Sequence, residues 1–148
     1  HHYALGRSVI GNMIPKPTSA IEATCTVLKD FGISEEIFGS FSYRTPTAIV
    51  GSADLTFILN KKTSRDEVIS IFQELEKKQN WNIFKNSIDP LVSLDFKRCD
   101  YSAIIDNRWT DVIKDNMLKI VLWYDNEWGY SSRVIDQVVH VSKKLNII

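Results

Sequence analysis

A side-chain amide and a phenol, Asn126 and Tyr130, stand four residues apart in the stretch LWYDNEWGYSSR from Leu122 to Arg133. An apolar run ends there in a polar turn before helical spacing begins, and such strand-to-helix junctions often carry binding groups. Residue type alone favours a plainer reading, with Trp123 and Trp128 as core anchors and Asp125 and Asn126 as turn formers. Thiol chemistry rests on two residues, Cys25 and Cys99, with no CxxC pair and no histidine close in sequence. Cys25 falls mid-helix on an apolar face, where a thiolate is disfavoured. Cys99 sits between Arg98 and Asp100 in a loop, and His140, between Val139 and Val141, reads as structural. No catalytic role is assigned to any of the three. Zinc spacing and a disulfide framework are absent, and the cysteine usage suits a reducing compartment. Taken by itself, Arg44 is a solvated charge at a strand end, and Thr18 or Ser19 is an N-cap.

The elements that position these groups alternate between helical and strand-like segments. A first helix is expected from about Thr18 to Phe31, with capping-box spacing at Ser19 and Glu22 and a stop at Gly32. A second starts at Ser64, again with a glutamate (Glu67) three residues on, and repeats Val68, Ile71, Phe72 and Leu75. A last helix is expected from about Gly129 to Leu145, with Val134, Val138, Val141 and Leu145 as a core stripe. Strands are expected around Phe41 and Tyr43, across Leu55 to Leu59, Leu91 to Phe96, Ser102 to Asp106, Trp109 to Ile113, and Met117 to Tyr124. The Lys114-Asp115-Asn116 turn joins the last two as a hairpin. Runs of strands with few helices point to an α+β fold: a largely antiparallel or mixed sheet with about three helices on one face. No GxGxxG occurs, so the chain carries no Rossmann domain and no dinucleotide phosphate cradle of its own.

Bulk properties narrow the classes. The chain has 148 residues, 44% hydrophobic, enough for one globular domain spanning 1–148. Lysine plus arginine and aspartate plus glutamate balance at 18 each, which argues against nucleic-acid partners and anionic membranes. No apolar run approaches the ~18 residues of a membrane helix. His1 and His2 are either native or the remnant of a tag.

The literal string LWYDNEWGYSSR resembles a signature near the end of the glyceraldehyde-3-phosphate dehydrogenase family, which includes the erythrose-4-phosphate dehydrogenases. Three further segments match in order: Gly6-Arg7 through Asn12-Met13-Ile14-Pro15 with Thr18; Tyr43-Arg44-Thr45-Pro46-Thr47 with Asp54-Leu55-Thr56; and Leu91 to Phe96 with Ser102 to Asp106. The resemblance covers nearly the whole chain and corresponds to the C-terminal part of the catalytic domain. It implies an enzyme in which a cysteine thiolate attacks an aldehyde, a histidine assists, NAD or NADP takes the hydride, and inorganic phosphate releases an acyl phosphate. Neither the nucleophile's context nor the histidine's segment is found in this chain. Both are expected before residue 1, so the chain alone is expected to be inactive.

By the same resemblance, Asn126 bonds the nicotinamide carboxamide and Tyr130 packs nearby. Arg44 holds phosphate, for which a planar guanidinium is suited. Thr18 belongs to the attacking-phosphate site ahead of a helix N-terminus. Ser19 stands where the family commonly has glycine, Tyr3-Ala4-Leu5 lacks a usual arginine, and Ile49 replaces a commonly polar residue. Tyr124 and Tyr130 favour glyceraldehyde 3-phosphate over erythrose 4-phosphate as the sugar-phosphate aldehyde. A cytoplasmic homo-oligomer, tetrameric in the family, is the expected setting. The contrasting reading is a non-catalytic assembly module that keeps the tetramer-forming sheet.

Overall fold

The structure, a computed structural model, describes residues 3–147; His1, His2 and Ile148 lie outside the described residues. It divides into two compact units, one ending at Ala48 and the other beginning at Ile49.

The first unit is built on a two-stranded ribbon. Strand β1 (Ile14–Lys16), not anticipated from the sequence, pairs antiparallel with β2 (Ser42–Arg44), setting Ile14 opposite Arg44 and Lys16 opposite Ser42. Between them lies helix α1 (Ala20–Val27), followed by a 3-10 turn at Lys29–Phe31. That turn ends at Gly32 with φ 73°, a left-handed position that glycine adopts without steric cost and that stops the helix as its sequence position foretold. The expected capping box does not form. Ser19 makes no side-chain cap, and the Ala20 N–H donates instead to Thr18 Oγ1 at 3.2 Å.

In the second unit the sheet runs β3 (Val50–Ile58), β7 (Met117–Asp125), β5 (Ala103–Asp106), β4 (Phe84–Ser87), with β6 (Asp111–Ile113) also beside β7. All pairings are antiparallel except β4 with β5, so the α+β reading and the mixed, largely antiparallel sheet hold. Alternation along β7 sorts its side chains to two faces. Leu118, Ile120 and Leu122 join Ile105 and Phe84 and receive Val68 and Phe72 of helix α2 (Arg65–Lys78). Ile104, Val50 and Phe96 form a second cluster, where Phe96 stacks on Trp123 at 5.7 Å. Helix α2 starts as its capping signal requires: Ser64 Oγ accepts the Glu67 N–H, and Thr63 Oγ1 donates to Glu67 Oε2 at 2.7 Å. The β6–β7 hairpin turns through Lys114 and Asp115, both at positive φ (50° and 65°), which is the backbone of a type I′ turn.

Two further expectations need correction, and one strand was missed. Leu91 to Phe96 is not a strand; Ser93–Phe96 winds into a 3-10 turn because Asp95 Oδ2 turns back to accept the Val92 N–H at 2.8 Å. The parallel strand Phe84–Ser87 carries too little apolar alternation to have been read. Helix α3 (Asn126–Lys144) begins three residues earlier than expected, and its Val134, Val138, Val141 and Leu145 stripe is open, from 43% to 63% exposed. The helix docks through a neighbouring face: Gly129 beneath the Tyr101 carbonyl, Arg133 on Ser102 and the Asn82 carbonyl, and His140 edge-on to Trp81.

Candidate functional site

The junction of β7 with α3 is held by one buried carboxylate. Asp125, 4% exposed, ends the central strand opposite Val50 and is the N-cap of α3. Its Oδ1 accepts the Trp128 N–H at 3.1 Å, satisfying one of the free donors of the first turn. Its Oδ2 accepts the Arg98 N–H at 2.8 Å, from a residue held at φ 61°. The same loop is tied twice more to the first turn. Trp128 Nε1 donates to Asp100 Oδ1 at 2.7 Å, and the Arg98 guanidinium lies 5.9 Å from the centroid of the Trp128 ring. Asn126 is therefore the first residue of α3 and Tyr130 stands one turn along. Both side chains are exposed, Tyr130 at 72%. The Asn126 amide makes a single long hydrogen bond, 3.5 Å to Glu127 Oε1, and so keeps polar capacity for a ligand.

One strand away, Trp123 Nε1 donates to Asp106 Oδ2 at 3.0 Å. Arg108 grips the same carboxylate with Nε at 2.8 Å and Nη2 at 2.6 Å, and Nη2 also reaches the Leu91 carbonyl. Burial by itself would raise the Asp106 pKa. The Arg108 and Trp123 hydrogen bonds and the Arg108 charge outweigh it and hold the carboxyl below its ordinary range.

The anion-binding candidates lie in the first unit. Arg44 is exposed and makes no ion pair among the described residues. Thr18 is half-buried, and Ser19 is exposed in a helical conformation (φ −83°, ψ 0°). Thr18 and Ser19 adjoin the start of α1, whereas Arg44 sits at the Ile14 end of the ribbon, the end remote from them. Glu22, in the first turn of α1, sets a negative charge against the helix end that favours anions. Ile49, where a polar residue was noted as usual, packs against the cluster of Val50, Phe96 and Ile104.

Cys25 is half-buried in α1, where desolvation and then the Glu35 carboxylate raise its pKa, and Cys99 packs against the second cluster. No group of three or more histidine, cysteine or acidic side chains suited to a metal occurs among the described residues. From the sequence Asp125 was read only as a turn former and Arg98 only as a neighbour of Cys99, although an aspartate immediately before a helix is an N-cap signal that points to the first of them.

The molecule is of the α+β class, a mixed sheet whose central strand runs into a long helix with an amide at its first residue and a phenol one turn on. The family model described as "Glyceraldehyde 3-phosphate dehydrogenase, C-terminal domain" matches residues 1–126, and the chain belongs to that family. It is 38% identical over 130 residues to the chloroplastic glyceraldehyde-3-phosphate dehydrogenase GAPA1 of Arabidopsis thaliana, covering 88% of this chain and 32% of that protein. It is 37% identical over 143 residues to glyceraldehyde-3-phosphate dehydrogenase 1 of Agaricus bisporus, covering 94% and 42%. With the cytosolic glyceraldehyde-3-phosphate dehydrogenase of Sinapis alba the figures are 38% over 138 residues, 93% and 40%. The chain thus spans between 32% and 42% of the length of these relatives.

Proposed function

We propose that this chain is the C-terminal part of the catalytic domain of a phosphorylating glyceraldehyde-3-phosphate dehydrogenase, converting a sugar-phosphate aldehyde to an acyl phosphate. The observation that carries the reading is the family match over residues 1–126, a span that includes Thr18, Arg44 and Asn126. Asn126, exposed with one long hydrogen bond, fits the nicotinamide carboxamide of NAD or NADP, and Tyr130 offers an aromatic surface one turn on. The bound cofactor supplies the hydride acceptor. Thr18 and Arg44 contribute a hydroxyl and a guanidinium for phosphate groups, with Ser19 narrowing the approach to the α1 end. The nucleophilic cysteine and the histidine base come from outside these 148 residues. Glyceraldehyde 3-phosphate is the favoured aldehyde, a homo-oligomer the working form and the cytoplasm the setting.

The gene product that carries these residues, assayed for phosphate-dependent NAD(P) reduction, is expected to turn over glyceraldehyde 3-phosphate faster than erythrose 4-phosphate. The 148-residue chain alone is expected to turn over neither. Reduction that does not depend on phosphate would overturn the reaction class. Light scattering after size exclusion tests assembly, and a clean monomer of the full gene product would count against it.

A further inference from the structure

Asn126 has almost nothing of its own to hold it: its side chain makes one 3.5 Å hydrogen bond to its exposed neighbour. Its aim must therefore come from the backbone on which it rides, and that backbone is fixed at the preceding residue. Asp125 is paired to Val50 on one side, and both of its oxygens are committed: Oδ1 to the Trp128 N–H within the helix, Oδ2 to the Arg98 N–H outside it. The first bond starts the helix. The second is different in kind, because it fixes the helix start to a loop residue 27 positions away. Nothing in helix formation requires it, and it holds a non-glycine residue at φ 61°, a sparsely populated conformation kept only where the surroundings over-determine it. The carboxylate that makes both bonds is buried, where charge-assisted bonds to backbone N–H groups are strong.

We propose that Asp125 is the positioning residue for cofactor binding, acting through its Arg98 bond to set the direction in which Asn126 presents its amide to the nicotinamide. The inference rests on the proposed role of Asn126. It predicts that the two oxygens of Asp125 are separable in function: one stabilises α3, and the other sharpens cofactor recognition.

Asp125→Ser separates them. Serine is a good N-cap and retains a bond to the first turn, but it is too short to serve the helix and the Arg98 N–H together. Measured in the full gene product, this variant is expected to stay folded, with an unfolding midpoint lowered by the unmade Arg98 bond. Its KM for NAD(P) is expected to rise roughly tenfold, the size of one charge-assisted hydrogen bond. The KM values for aldehyde and phosphate are expected to stay unchanged. Hydride transfer, followed with deuterated reduced cofactor, is expected to lose part of its preference for one ring face. Asp125→Asn, which keeps one acceptor oxygen and the side-chain volume, serves as the second variant if serine compromises folding.

Asn126→Ala runs beside them. If it leaves the cofactor KM and the ring-face preference untouched, the reading of Asn126 fails. If it shifts them while a folded Asp125 variant does not, the positioning role fails and the reading of Asn126 stands. A KM increase shared equally by cofactor, aldehyde and phosphate would also overturn the proposal, because it would report general loosening.

Discussion

The two units support their candidate residues in different ways. Around Asn126 and Tyr130, a nine-residue central strand, two buried apolar clusters and two buried carboxylates, Asp106 and Asp125, fix the backbone before any ligand arrives. Around Thr18, Ser19 and Arg44, the supports are two three-residue strands and an eight-residue helix with no buried side chain. Ile14 is the single buried residue among those described up to Ala48. An amide that must select one face of a ring gains from a rigid mount, since misalignment of a short-range hydrogen bond weakens it steeply. A guanidinium that attracts phosphate acts over a longer range and tolerates a looser one.

The largest effect that separates the two supports should come from Arg108→Ala. It leaves the Asp106 carboxylate, 1% exposed, without its main partner. Removing the guanidinium leaves a buried charge uncompensated, a loss of stability that the hydrogen bonds from Trp123 and the Arg108 backbone offset only in part. Denaturant unfolding is expected to show that loss, with amide hydrogen exchange accelerating across β5 and β7. If residues 3–48 lose protection in parallel, the two units unfold as one and the contrast drawn between them collapses.

Acid should act through the same carboxylate. The folded-state pKa of Asp106 lies below its unfolded value, so its contribution to stability is complete above the unfolded value, near 4 for aspartate. It is lost as pH falls through the depressed folded value. Unfolding free energy measured from neutral pH downward is expected to decline in that acid window, and Asp106→Asn is expected to flatten the decline. An unchanged slope in the variant would assign the acid sensitivity to other carboxylates.

Gly129→Ala should have a smaller effect of the same sign. A Cβ at this position would lie 3.2 Å from the Tyr101 carbonyl oxygen and 3.5 Å from Ser102 Cα, both backbone atoms. That loop has little room to yield, because the Ser102 N–H donates to the Asn82 carbonyl and Arg133 reaches both residues. Alanine favours a helix over glycine by about 1 kcal/mol, and crowding of this kind costs about 1–3 kcal/mol. A net loss of roughly 1 kcal/mol in thermal unfolding is expected, and a gain would show that the loop moves aside.

The same contrast explains what could be read from the sequence. Lys114-Asp115-Asn116, Ser64 with Glu67, and Gly32 are local signals, and each produced the expected turn, cap or stop. Leu91 to Phe96 misled because an apolar run looks like a strand until Asp95 bends it. Phe84–Ser87 is a strand through its parallel partner β5, a long-range cause invisible in its own four residues. The open stripe of α3 was assigned to the core because periodicity shows that a face is apolar without showing what meets it. Asn126, Tyr130, Arg44 and Thr18 were named through family motifs. Asp125 was read only as a turn former because its second bond, to Arg98, joins positions 27 residues apart and leaves no local signal.

The smallest effect should come from Ser19→Gly, which tests the looser support directly. Ser19 makes no side-chain cap and its φ of −83° needs no glycine, so the exchange removes a Cβ and a hydroxyl without removing any bond that holds α1. Replacing even a working serine cap by glycine costs only a few tenths of a kcal/mol, so the unfolding midpoint should barely move. What changes is access to the backbone N–H groups at the start of α1, where anions are favoured. In the full gene product the KM for inorganic phosphate is expected to fall by roughly twofold to fivefold, a change below about 1 kcal/mol. Glu22 limits the gain, because its charge in the first turn persists, and Glu22→Gln added to Ser19→Gly should extend it. A phosphate KM that ignores both changes would place the attacking phosphate away from this helix end and leave Thr18 as a structural cap alone.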